Sequence, residues 1–191
     1  MDRISNFIQH DPGGSHYLKA EIWGDWSKKI SGETLVHLWE SKDRDVPTAV
    51  MASIAIIESA LRPYVFRYES GMHELRGGTE FGWTSGGLFQ ILGMNLQGLG
   101  YSDWNQSGVI EDDVLLQMDM FNDFFYSLYK RAVTLPIVLI SLYNPYYITA
   151  CAYNTGQYTP GVPYGDKFLK HYRNLKNKDS EEIKTYLNSV T

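Results

Sequence analysis

Apolar positions along the chain recur mostly at helical spacing. Val50, Ile54, Ile57 and Leu61 step by four, three and four residues, with Pro47 just ahead of them and Pro63 just after, which predicts a buried helix bounded by the two prolines. The strongest stripe is Val114, Met118, Phe121, Phe125 and Leu128; Glu111, Asp112 and Asp113 precede it, and Lys130 and Arg131 close it, so both ends suit the helix dipole. Asn144-Pro145 is a cap followed by a first-turn proline, opening a helix from Tyr146 to Tyr153 that ends near Gly156. Tyr164, Phe168, Tyr172 and Leu175 mark another helix, and Asp179 with Glu182 forms a capping box ahead of Ile183, Tyr186, Leu187 and Val190.

Elsewhere the pattern is weaker. Trp23, Trp26 and Ile30 suit a short amphipathic helix, the segment from Thr34 to Trp39 is apolar enough to dock on a core, and residues 40–45 read as a solvated connection. Asp11-Pro12-Gly13-Gly14-Ser15 is a turn by composition. From Tyr64 to Ser85 no period is visible, four glycines interrupt, and Tyr64, Phe66, Tyr68, Phe81 and Trp83 make the stretch too aromatic for disorder; it reads as a long loop that walls a groove. Thr84 or Ser85 then caps a short helix over residues 87–92. No hairpin is evident, although residues 134–143 could be extended, and no repeat or low-complexity tract occurs. The fold expected is mainly α.

A length of 191 residues is enough for one domain with a real core, and the hydrophobic and charged fractions of 43% and 20% are those of an ordinary globular protein. The aromatic fraction of 14%, with 14 Tyr and 5 Trp, suits a groove that stacks on sugars or bases as well as it suits cores. A net charge of −5 argues against electrostatically driven nucleic-acid binding. Cys151 is the single cysteine, so no intrachain disulfide can form. The start of the chain lacks the apolar core of a secretory signal, and no apolar run approaches the roughly twenty residues of a membrane span. These features predict a protein made in the cytoplasm, with no membrane span and no nucleic-acid partner.

Chemistry concentrates at Glu58, one carboxylate closing an apolar helical run. A buried carboxyl responds by raising its pKa, which is what a general acid needs; the alternative is a helix-end glutamate pointing into water. Cys151 with His171 could form a thiol and base, but a cysteine between two alanines on an apolar helix reads as a buried thiol. The five histidines have no metal-ligand spacing, and His73-Glu74 is not followed by a second helical histidine, so neither a metal nor an organic cofactor is implied.

Three pieces stand in order: Glu58-Ser59 with Pro63, then Gly87-Leu88-Phe89-Gln90-Ile91, then Ala152-Tyr153-Asn154-Thr155-Gly156. Together, over about residues 46–175, they resemble the goose-type lysozyme and lytic transglycosylase superfamily, with Phe89 where that pattern has Met and Thr155 where it has Ala. Glu58 and Gln90 stand 32 residues apart, farther than in simple members, and the extra material including Arg67-Tyr68-Glu69 looks like that of phage muramidases and tail-associated transglycosylases. The resemblance implies a lysozyme-like catalytic domain at 46–191 behind an N-terminal extension at 1–45. It implies cleavage of the β-1,4 bond of bacterial peptidoglycan, with access to the wall through a phage virion or a lysis system and other virion or tail proteins as further partners.

It also implies roles. Glu58 protonates the leaving oxygen and, in a lytic transglycosylase, then accepts a proton from the muramic 6-hydroxyl as a 1,6-anhydro ring closes, so no second carboxylate is required. A hydrolysing muramidase would instead need a base about 6.5–9.5 Å from Glu58; among Glu69, Glu74, Glu80 and Asp103, Glu69 is the first candidate because it lies in the aromatic loop. Gln90 is expected to bond an acetamido sugar or Glu58, the alternative being a helix-start residue that pairs with backbone, and Tyr153 to hold the Glu58 carboxyl or a sugar, the alternative being a core tyrosine with a satisfied hydroxyl. Asn154 lines the cleft or caps its helix, Ser59 bonds back into its own helix or braces the loop, and Phe89 and Tyr68 offer sugar platforms or pack in the core. A third reading is a catalytically weak virion or wall-binding protein docking through Trp23, Trp26 and Trp39.

Overall fold

The computed structural model describes residues 3–10, 17–103, 113–136 and 142–190. Their order is β1 (Arg3–His10), β2 (Tyr17–Gly24), α1 (Gly32–Glu40), α2 (Thr48–Ser59), β3 (Val65–Tyr68), α3 (Ser70–Arg76), β4 (Thr84–Gly86), β5 (Ile91–Leu92), α4 (Gly93–Gln97), α5 (Val114–Ala132), α6 (Pro145–Thr155), α7 (Pro163–Leu175) and α8 (Ser180–Val190). The protein is mainly helical, and no described helix is long and apolar enough to cross a membrane. The chain forms two compact units, Met1–Ile30 with Glu58–Met120 and Ser31–Ile57 with Phe121–Thr191. Residues 1–45 are thus divided between the two units.

The first unit is built on a five-stranded antiparallel meander in the order β1 to β5. This sheet corrects three expectations. Residues 23–30 form no helix: β2 runs to Gly24 and pairs with β3 from Glu21↔Tyr68 to Gly24↔Val65. The 64–85 stretch is not one loop but β3, α3 and β4. Residues 87–92 are not a helix but a turn leading into β5, with Ser85 paired to Leu92 and Gly86 to Ile91. The strands escaped notice because β3, β4 and β5 hold only 4, 3 and 2 residues, too few for an alternating period to show. In β2, Leu18, Ala20 and Ile22 do alternate with Lys19, Glu21 and Trp23, but the 23–26–30 spacing competes with that signal.

The second unit is helical, and its sequence signals match its structure. Asn144 caps α6 by accepting from the Tyr146 amide at 2.8 Å, with Pro145 in the first turn, and Gly156 ends the helix in the left-handed conformation. The capping box of α8 is reciprocal: Glu182 N donates to Asp179 Oδ1 at 2.9 Å and Asp179 N to Glu182 Oε2 at 3.2 Å. Phe121 and Phe125 of α5 are fully buried. Two close helix approaches require glycine. A Cβ on Gly32 would meet Leu187 Cβ at 2.6 Å, and one on Gly165 would meet Cys151 Sγ at 2.5 Å. The expected turn at 11–15, the acids at 111 and 112, the side chain of Trp23 and the 137–141 part of the extended stretch lie outside the described residues.

Candidate active site

Val50, Met51, Ala52, Ile54 and Ala55 in α2 are all 0% exposed, so the helix is buried all round rather than amphipathic. Glu58, its penultimate residue, is half-buried. The chain then leaves the helix through Ala60 and Leu61 at φ 49° and 64°, a left-handed pair that L-residues adopt only where the surroundings hold them. Helix α2 therefore ends before Pro63, and Leu61 is not its last turn but a separately buried side chain, 0% exposed.

Several bonds hold this exit. Arg62 N donates to both the carbonyl and the hydroxyl of Ser59 at 3.2 Å, and Ile30 N donates to Leu61 O at 2.9 Å. The decisive contacts come from farther away. Ser59 Oγ donates to Leu88 O at 2.8 Å, Leu88 N donates to Gln117 Oε1 at 2.8 Å, and Gln117 Nε2 donates to Pro63 O at 3.2 Å. These three bonds close a ring that fastens the 58–63 exit to the 87–90 turn. Gln117 is 3% exposed, so water offers no substitute for the bonds it makes.

The 87–90 turn is itself clamped. Gln90 takes φ 47°, and its amide donates to Val65 O and to Gly87 O, each at 2.8 Å, while its Oε1 accepts from Ser85 Oγ at 3.1 Å. Both amide hydrogens are thereby used inside the sheet, and one lone pair on Oε1 remains for a ligand. Phe89 is 1% exposed, which is the packing alternative of the two that the sequence left open.

At the other end of β3, Glu69 stands just before α3, with its amide donating to Trp83 O at 2.9 Å and its Oε1 2.6 Å from Arg67 Nε. Burial pushes its carboxyl above the ordinary value, and the opposing pull of Arg67 is the smaller effect. Tyr68 is half-buried, its hydroxyl 2.6 Å from His73 Nδ1; His73 Nε2 in turn lies 3.3 Å from Gly78 O. Burial and the nearby Glu80, Glu21 and Glu74 raise the Tyr68 phenol. Glu74 and Glu80 are exposed, and Asp103 is half-buried.

The third motif belongs to the second unit. Tyr153 is 8% exposed and its ring packs among Phe121, Phe124, Phe125 and Tyr164, with centroids 5.5 to 6.4 Å away. Asn154 is exposed, and Gly156 rather than Asn154 caps α6. Cys151 is buried, burial raises its thiol above the ordinary range, and His171 lies beside Tyr186 with its Nδ1 3.0 Å from that hydroxyl. Among the described residues, no group of three or more His, Cys, Asp or Glu is placed to hold a metal ion.

Of the eight residues singled out from sequence, Ser59 belongs to the ring of hydrogen bonds, Glu58 and Phe89 are next in sequence to its members, and Gln90 is clamped in the turn that the ring fastens, whereas Tyr68 and Glu69 stand at the other end of β3, opposite Thr84 and Trp83. Gln117 was missed. Its signal was available: it precedes Phe121 and Phe125 at four-residue steps, a polar residue on the buried side of α5. No protein-family model, curated protein or solved structure matches the chain.

Proposed function

We propose that the protein cleaves the β-1,4 bond between muramic acid and glucosamine in bacterial peptidoglycan as a lytic transglycosylase on a lysozyme-like fold, with Glu58 as its single essential carboxyl group. The observation that carries this reading is the hydrogen-bond ring through Ser59, Leu88, Gln117 and Pro63. Two motifs separated by some thirty residues, which resemble the acid and the glutamine turn of that superfamily, are held to one another by buried polar contacts. A half-buried carboxyl at the end of a largely apolar, buried helix has surroundings suited to a general acid. Glu58 donates its proton to the leaving oxygen as positive charge develops on the sugar, and as carboxylate it then takes the proton of the muramic 6-hydroxyl that closes the anhydro ring. Gln90, through its remaining acceptor lone pair, is suited to an acetamido N–H.

The alternative of hydrolysis with Glu69 as base receives less support. Its carboxylate is engaged by Arg67, which favours a role in bracing the strand end. Nor does the wall-docking alternative gain from the tryptophans as a set, because Trp39 is 2% exposed while Trp26 is 46% exposed.

The test is mass spectrometry of the soluble products released from purified sacculi. Fragments ending in 1,6-anhydro-muramic acid are expected. Reducing ends carrying an added water would replace the transglycosylase by a hydrolase, and intact sacculi would end the catalytic reading. Glu58→Gln, nearly isosteric, should abolish release while leaving the melting temperature in place; normal release by that variant would remove Glu58 from its role.

A further inference from the structure

The loop at 25–30 is fixed along the 61–64 segment that follows Glu58. Asp25 N donates to Tyr64 O and Ile30 N to Leu61 O, each at 2.9 Å. At Gly24, φ is 120° and a Cβ would lie 2.1 Å from Tyr64 O, so the close approach demands glycine there. Asp25 spends one carboxylate oxygen inside the loop, accepting from Ser27 Oγ at 2.6 Å, Ser27 N at 3.1 Å and Lys28 N at 3.3 Å. These bonds hold its carboxyl below the usual range, Ser27 contributing most. The loop is therefore a shaped turn rather than a slack connection.

What it presents outward is aromatic and cationic. Trp26 is 46% exposed, its carbonyl accepts from Arg62 Nε at 3.0 Å, and the Arg62 guanidinium lies 5.1 Å from its ring centroid. Lys28 Nζ lies 5.1 Å from the Tyr64 ring centroid, and Lys29 is exposed beside it. Within residues 25–30 and 61–64 the charged side chains are Asp25, Lys28, Lys29 and Arg62, and the second oxygen of Asp25 is 3.9 Å from Lys28, a long and solvent-screened pair. In a chain of net charge −5 this is a local positive strip. Arg62 is bonded to Ser59 and Ala60, so the strip is continuous with the turn that leaves Glu58.

We infer that the Trp26–Lys28–Lys29–Arg62 strip is a binding surface for the carboxylate-bearing peptide stems of a glycan strand, the indole packing on a sugar or stem methyl face and the cations meeting stem carboxylates. This rests on the peptidoglycan reading above and extends it to substrate positioning. Guanidinium and ammonium groups fixed against aromatic rings pair with carboxylates at little further conformational cost, and the strip adjoins the segment that carries the general acid.

The test uses Glu58→Gln protein, so that sacculi are not consumed, and sacculi stripped of phosphate polymers, so that stem carboxylates are their anions. Sedimentation binding is compared for this protein and for versions adding Lys28→Glu with Lys29→Glu, or Trp26→Ala, each checked for an unchanged melting temperature. The double lysine reversal should weaken binding about tenfold, from two exposed charge contacts reversed. Coupling the stem carboxyls to methylamine should lower the parent to the level of that variant. Equal binding by parent and lysine variant, indifference to amidation, or equally cation-dependent retention on single-stranded DNA would each overturn the inference. The wild-type protein separates the two claims. Intact sacculi with cation-dependent binding would remove cleavage and leave the surface, and digestion with cation-independent binding would do the reverse.

Discussion

The two units of the molecule are held by different physics. The first is fastened where it matters by a few buried polar side chains of long sequence separation: Ser59 to Leu88, Leu88 to Gln117, and Gln117 to Pro63, with Gln90 bonded to three segments. The second is held by rings. Phe121 touches Trp39, Phe125 and Tyr153 at centroid distances of 5.9, 5.4 and 6.0 Å, and Tyr129 and Tyr146 stack at 4.8 Å. Aromatic packing has only soft orientational preferences and tolerates small shifts, whereas a buried hydrogen-bond ring fixes positions and fails when one member is lost. The proposed acid, Glu58, stands next in sequence to Ser59, a member of the device that fixes positions.

Phe121→Ala breaks the comparison most directly. Removing a fully buried ring from that cluster should cost about 3–5 kcal/mol in unfolding free energy measured by denaturant titration. Molecules that remain folded should keep the proposed activity, because the polar ring lacks nothing. If activity per folded molecule collapsed instead, the aromatic unit would be aiming the site too.

Gln117→Ala should cost a comparable amount in stability and more in function. It leaves Leu88 N and Pro63 O without their buried partner, at about 1–3 kcal/mol for each group left unsatisfied. Freed from this tie, the 58–63 exit relaxes, and sacculus digestion should fall more than tenfold, since a displacement of about 1 Å is enough for a loss of that size. Digestion at the wild-type rate would reduce the ring to a stability device. Ser59→Ala removes one bond of the same ring, and about 1 kcal/mol with a smaller loss of rate is expected.

The same contrast explains what the sequence made legible. Helices α2, α5, α6, α7 and α8 announce themselves because their side chains repeat every three to four residues and their caps are local: Asn144 and Tyr146, or Asp179 and Glu182, lie within a turn of each other. The sheet stayed hidden because β4 and β5 hold three and two residues, and their identity rests on pairing with distant segments. At the candidate site, Glu58 and Gln90 were legible as residue types. The left-handed exit at Ala60 and Leu61 was not, since alanine and leucine are ordinary helix formers and only tertiary contacts hold them at positive φ. For the same reason Gln90 reads from sequence as a ligand-facing amide, although its hydrogens are donated to Val65 and Gly87.

The smallest expected effect distinguishes the units by the sign of their response to pH. Burial shifts one group of the acid-to-neutral range in each, among the described residues: it raises the carboxyl of Glu69 in the first and lowers the imidazole of His171 in the second. A carboxyl whose folded pKa lies above its unfolded value of 4.5 stabilises the protein below that value, and the contribution is lost as pH rises through the folded pKa. A histidine whose folded pKa lies below 6.5 stabilises above 6.5, and the contribution is lost as pH falls through the folded pKa. Glu69→Gln should therefore gain stability relative to wild type as pH rises above 4.5, less whatever is lost with the Arg67 pair, and His171→Gln should gain on wild type as pH falls below 6.5. Unfolding free energies measured across that range for both variants would show the opposed slopes. A flat difference for Glu69→Gln would mean that Arg67 cancels the burial of the carboxylate, which would make Glu69 an ordinary paired acid and strengthen its role as a brace.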